Sequence, residues 1–160
     1  LEKNKMINKM SRTSTPLTEE EIDRTEKRIG RRIPPAYRKF LLEYNGGSPD
    51  PSDFTMATSP HGKTELGTIK SFLGIGTDKA TLNLDYILET FEGRLPADLF
   101  PIARDPGGNL IALGTEGSKT DKVYFWDHER EADEGNPPTN RNLYLVSESF
   151  DQFIGSLHEA

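Results

Sequence analysis

The sequence contains no cysteine. That excludes a disulfide framework and any zinc, haem or iron–sulfur centre built on thiolate ligands. It also fits a reducing compartment. Long apolar runs are missing too: nothing approaches the ~20 residues that a membrane helix needs. The lysine-bearing N-terminus has no apolar segment, so no secretory signal is expected and the location expected is cytoplasmic. Histidine is scarce, with three residues. Without cysteine, nucleophilic catalysis would need Ser or Thr beside a base, and no G-x-S-x-G elbow is present.

What is present is enough for one domain. The chain has 160 residues, of which 33% are hydrophobic, and a chain of this length buries roughly 68–70% of its unfolded surface. Charge is uneven. Residues 1–15 hold Lys3, Lys5, Lys9 and Arg12 against Glu2, a balance of +3 within a net charge of -6, so the other 145 residues carry -9. An acidic body disfavours nucleic acid, whose phosphates attract Lys and Arg patches. It suits either plain solubility or a basic protein partner.

Residues 1–15 are polar without a period and are expected to form a tail, with the domain spanning 16–160. Thr18 with Glu21 has capping-box spacing, and Leu17 with Ile22 occupies the staple positions, predicting a helix through Ile29 that stops at Gly30. Pro34-Pro35 opens a second helix with Tyr37, Phe40, Leu41 and Tyr44 on one face, ended by Asn45-Gly46-Gly47. Residues 48–66 read as a long proline-bearing loop with a short strand around Phe54–Ala57. Ile69–Ile75 reads as a strand, and Leu84, Ile87, Leu88 and Phe91 mark a third helix. Leu99–Asp105, a Pro106-Gly107-Gly108 turn and Leu110–Leu113 form a hairpin. Strands follow at Lys122–His128 and Leu143–Val146, with a charged loop at 129–142 between them. Ser147 or Ser149 caps a last helix carrying Phe150, Phe153, Ile154 and Leu157. Clustered strands between N- and C-terminal helices predict an α+β fold, one domain with a mostly antiparallel sheet.

Candidate chemistry is sparse. His128-Glu129 starts like a zinc-helix motif, but residues 128–132 read HEREA and lack the second histidine one turn later. Asp127 and Glu129 would share one face of a strand, yet nothing supplies further metal ligands. No catalytic residue, metal site or cofactor is therefore assigned. The densest feature is acidic: Asp127, Glu129, Glu131, Asp133 and Glu134, opposed by Arg130. It reads as a solvated loop or as a docking surface for a basic protein. Tyr124 and Trp126 alternate with Val123 and Phe125, so both sheet faces carry large side chains. One face must pack on helices; the other is either covered as well or an exposed aromatic patch.

The ordered set of segments resembles a known family. Leu17-Thr18-Glu19-Glu20-Glu21-Ile22, then Ile33-Pro34-Pro35-Ala36-Tyr37-Arg38-Lys39-Phe40-Leu41 with Asn45-Gly46-Gly47, resembles the N-terminal signature of the SUKH superfamily. Its branch is the one named for a fungal cell-wall-assembly regulator. Pro101-Ile102-Ala103-Arg104-Asp105 with Gly107-Gly108-Asn109 resembles the family's central hairpin, Val123–His128 its aromatic strand, and Ser149-Phe150 with Phe153, Ile154 and Leu157 its closing helix. Two stretches depart: Gly114 stands where an acidic residue commonly closes the hairpin strand, and residues 48–66 match nothing in the pattern. The resemblance implies an α+β domain without catalytic residues. It further implies an immunity protein that binds and neutralises a cognate toxin domain, such as a nuclease or a deaminase acting on nucleic acid. A regulatory scaffold domain with a host-protein partner is the alternative. On the immunity reading, Asp127, Glu129, Glu131, Asp133 and Glu134 are the expected steering charges. Trp126 and the 48–66 loop around Phe54 are the expected contacts.

Overall fold

The computed structural model describes residues 7–56 and 59–159. Helix α1 (Glu19–Ile29) starts where the sequence predicts: the Glu21 N–H donates to Thr18 Oγ1 at 3.2 Å and the Thr18 N–H to Glu21 Oε1 at 2.8 Å. Such a cap stabilises a helix by about 1 kcal/mol. Gly30, at φ 72°, closes α1. Helix α2 (Pro35–Glu43) ends differently from the expectation. Tyr44 is extended, and the positive φ values fall later, at Gly46 and Gly47. Asn45 between them is a buried hub that donates to the Thr15 and Ile75 carbonyls and accepts from the Ile75 N–H.

Strand content begins earlier than the pattern suggests. Residues Lys9–Ser11 form β1, antiparallel to β2 (Ser48–Asp50), within the stretch expected to be a tail. The proline-bearing stretch holds β2, which the pattern does not predict, and β3 (Asp53–Met56), close to the short strand expected around Phe54–Ala57; β3 pairs with β4 (Glu65–Thr68). Residues 1–6, Ala57, Thr58 and Ala160 lie outside the described residues.

The main sheet is antiparallel throughout and has five strands in chain order. They are β5 (Ser71–Phe72), β6 (Leu99–Arg104), β7 (Leu110–Gly114), β8 (Val123–Trp126) and β9 (Leu143–Ser147). Helix α3 (Leu84–Thr90) lies between β5 and β6, and α4 (Phe150–Gly155), capped by Ser149, follows β9. Directly paired residues share a face, so the register assigns each cover. Phe72, Ala103, Ile111, Phe125 and Tyr144 form one row. Helices α2 and α4 cover that face, with Phe40 4.8 Å and Phe150 6.5 Å from the Phe72 ring. Trp126 faces the other way, against Phe91 just beyond α3, at 5.6 Å and 88°. The result is an α+β domain with helices on both faces of its antiparallel sheet. Tyr37 ties α2 to that sheet: its buried hydroxyl lies 2.5 Å from the Leu73 carbonyl oxygen and 3.1 Å from that of Ile102. The same burial pushes the Tyr37 hydroxyl well up from its ordinary titration range.

Candidate functional site

The acidic segment leaves the sheet at Asp127 and is held in place before it turns outward. The Asp127 N–H donates to the Asn142 carbonyl, and the buried Asn142 amide returns a bond to the Asp127 carbonyl at 2.9 Å. Asp127 Oδ1 then accepts from the Glu129 N–H at 3.0 Å, capping a 3₁₀ turn over His128–Arg130.

The neighbouring hairpin turn locks against the same turn. Asp105 accepts from the Gly107 N–H, the Asn109 N–H and the Asn109 side-chain amide, at 2.9, 2.7 and 2.9 Å. Asn109 Oδ1 accepts from the His128 N–H at 2.9 Å, and His128 Nε2 sits 2.9 Å from the Gly107 carbonyl oxygen. Gly108, at φ 89°, lets the turn lie close to the imidazole: a Cβ there would be 3.3 Å from Nε2. The Asp-x-Gly-Gly-Asn segment thus orients the start of the acidic loop, and His128 has a structural job.

Farther along, Glu131 accepts two bonds from Arg94 at 2.9 and 2.8 Å. Arg94 lies 4.4 Å above the Phe91 ring, which itself abuts Trp126. The Arg94 bonds hold the Glu131 carboxyl below its ordinary range; burial opposes them, and the Arg94 and His128 charges add to them. Arg141 closes the base of the loop by donating to the Arg130 and Glu131 carbonyls.

The expected site residues therefore divide. Glu129, Asp133 and Glu134 are exposed and carry no ion pair among the described residues. Asp127 is buried and serves as a cap, and Glu131 is committed to Arg94. Trp126 and Phe54 need correction as contact residues, because each has no exposed surface. Trp126 fills the space under Phe91. Phe54 lies across its partner Gly67, where an added Cβ would be 2.5 Å from Cε2, and packs 5.4 Å from Phe153. The missing side chain at Gly67 is what draws the Phe54 ring inward.

One surface escaped the sequence reading, although the alternation on β8 hinted at it. Pro101, Ala112, Tyr124 and Leu145 form a row on the Trp126 face. The first two are buried, Tyr124 is half-buried, and Leu145 is 40% exposed. Burial therefore falls along this face, from the fully buried Trp126 to the half-buried Tyr124 and the exposed Leu145.

Two other features have their groups mutually satisfied. A cleft of about 560 Å³ lies between α1, α3 and β6. Its Arg28 pairs with Asp85 at 2.7 Å, and its Arg31 rests 5.2 Å over Phe100. Ser59 and His61 both bind the Glu65 carboxylate. Among the described residues no three His, Asp or Glu side chains are grouped to hold a metal ion, and no helix is long and apolar enough to cross a membrane.

These features define a single-domain α+β protein in which the hairpin motif and His128 hold the start of the acidic loop in place. The SMI1 / KNR4 family (SUKH-1) matches it over residues 16–156, and the chain belongs to that family. It is also similar to the SPbeta prophage-derived uncharacterized protein YokK of Bacillus subtilis (strain 168). The two are 27% identical over 153 residues, covering 88% of this chain and 74% of the relative. Proteins of the SUKH family are generally non-catalytic and immunity-type.

The match to the N-terminal signature and hairpin is now intelligible in physical terms. The motif residues cap α1, build the Asn45 hub and staple the hairpin turn to His128. Gly114 is intelligible too. A Cβ there would lie 2.5 Å from the Lys119 carbonyl carbon and closer still to its oxygen, so this chain has no room for the acidic side chain common at that place.

Proposed function

We propose that this chain is a non-enzymatic immunity protein that acts in the cytoplasm by binding and neutralising a cognate toxin domain. The observation that carries the reading is family membership across nearly the whole domain, residues 16–156. The prophage origin of its Bacillus subtilis relative is in keeping with a gene carried for conflict between cells. The site adds a physical means. Glu129, Asp133 and Glu134 project from a loop anchored at Asp127, Glu131 and Arg141, so their charges are held in one region of the surface. A negative region of this kind raises the encounter rate with a basic toxin, and binding then blocks the toxin's active site or substrate access.

The test is rescue. The C-terminal domain encoded by the neighbouring upstream reading frame is expressed in a sensitive host with and without this protein. Growth restored by this protein, together with co-purification, supports immunity. Toxicity without rescue or binding overturns it for that pair and favours the scaffold reading.

A further inference from the structure

The open corner on the Trp126 face has a definite chemistry. Tyr124 and Leu145 are direct partners on β8 and β9, so ring and aliphatic side chain stand side by side. Leu145 is one of three large apolar residues strongly exposed among the described residues. The register places the start of β6, the β7–β8 connection and the end of β9 at the same end of the sheet, next to Tyr124. That end carries Asp98, Glu116, Asp121 and Glu148 against Lys119, Lys122 and Arg31, which acts on Glu116 and donates to the Ala97 carbonyl.

Lys119 neutralises Asp98, so the charge offered to a partner rests mainly on the weakly paired Glu148. Lys119 is held by both Asp98 oxygens at 3.0 and 2.9 Å and by Asn140 at 2.7 Å. Lys122 reaches Glu148 only at 3.9 Å, and the Glu148 side chain remains 64% exposed. Burial, then the Glu148 and Asp98 charges, push the Tyr124 hydroxyl up from its ordinary range, so both carboxylates lie close enough to act on this side chain.

We infer that this corner docks a cation-bearing segment of a partner protein. The Tyr124 ring receives a Lys or Arg head, Leu145 covers its aliphatic stem, and Glu148 faces its charge. An aromatic face attracts a cation within about 6 Å of its centre, and the long stem of Lys or Arg lies well along an apolar side chain. Tyr is also among the residues favoured as interface anchors. Identifying the partner as the toxin domain rests on the proposed immunity function; the surface itself does not.

The experiment maps binding by amide and methyl NMR on the intact protein. The probe is a short synthetic peptide, acetyl-GKLRLG-amide, with acetyl-GELELG-amide as its charge-reversed counterpart. The expected result is shifts centred on Tyr124, Leu145 and Glu148 with the cationic peptide. Binding should be at least tenfold weaker for the acidic peptide and for the Leu145→Lys variant, which removes the apolar cover and repels a cation. Leu145 is exposed, so the substitution is compatible with folding; Glu148→Lys provides a second variant that leaves the apolar contacts alone. No binding, shifts centred elsewhere, equal response to both peptides, or concentration-dependent self-association through Leu145 would overturn the inference.

With a toxin domain against which this protein protects the host, Leu145→Lys should speed complex dissociation at least tenfold. Unchanged binding by that variant would overturn the surface and leave immunity intact. Peptide mapping to the corner without rescue would leave the surface intact and count against immunity.

Discussion

Replacing Gly114 by Ala adds one methyl group at the end of β7, where the chain has closed on itself. The new Cβ would lie 2.5 Å from the Lys119 carbonyl carbon and 2.7 Å from its Cβ, both shorter than real contacts allow. The obstacle is mainly backbone, so a rotamer change cannot relieve it. The 115–122 connection must move outward by several tenths of an ångström or more. Two backbone bonds resist: Gly114 N–H to the Lys122 carbonyl at 2.9 Å, and Asp121 N–H to the Gly114 carbonyl at 2.9 Å. Overpacking costs about 1–3 kcal/mol, and each weakened bond adds about 1 kcal/mol. The expected loss is therefore about 3–5 kcal/mol. With a urea slope near 2 kcal/mol per M, the unfolding midpoint should fall by about 1.5–2.5 M. Gly107→Ala is the control. Its Cβ would meet nothing closer than 3.5 Å, and its φ is not left-handed. That variant should be neutral or up to about 1 kcal/mol more stable through a stiffer unfolded chain. A midpoint shift below about 0.3 M for Gly114→Ala would refute the reasoning.

The corrected role of Trp126 predicts that Trp126→Ala costs about 3–5 kcal/mol of stability in urea melts. The folded fraction should still bind a rescued toxin domain with the wild-type dissociation rate; faster dissociation from folded protein would restore Trp126 as a contact. The Arg94–Glu131 pair predicts a pH dependence. Its folded-state pKa lies below the unfolded value, so its stabilisation is present above the unfolded carboxylate range near ~4.3 and is lost as pH falls through the folded value. Arg94→Leu should cost about 0.2–1 kcal/mol at pH 7, as partly exposed pairs do. The gap between variant and wild type should shrink below about pH 4, and a gap unchanged down to pH 2 would contradict the assignment.

Much of the helical frame was legible because its signals are local. Thr18 and Glu21 are three residues apart and form their box without help from the rest of the fold. Ser149 caps α4 through the Gln152 N–H in the same way. The three-residue strands β1 and β2 were not legible, since Lys9–Ser11 and Ser48–Asp50 carry no period and are ordered by pairing with each other across the chain.

The candidate site was legible as composition but not as geometry. The sequence brings five acids together, yet which of them are free depends on Arg94, a distant partner reaching Glu131 from beyond α3. Phe54 looked like a loop aromatic because nothing local shows that Gly67 lies opposite it. Alternation on β8 correctly put large residues on both sheet faces. How far each position on the Trp126 face is covered is a tertiary property, and it leaves Leu145 exposed beside a half-buried Tyr124.

The central claim is neutralisation by direct, electrostatically steered binding. Its most direct measurement mixes the purified upstream-encoded domain with this protein at low and high salt, following association rate and toxin activity together. The account predicts a stoichiometric complex in which the toxin is inactive. Its association rate should fall at least tenfold between about 50 and 500 mM salt, since exposed charges act through a field that salt screens. In the Glu129→Gln/Asp133→Asn/Glu134→Gln triple variant, association should be slower and its salt dependence weaker. A toxic domain that forms no complex, or stays fully active within one, would contradict the claim; a complex with a salt-insensitive on-rate would contradict its electrostatic part.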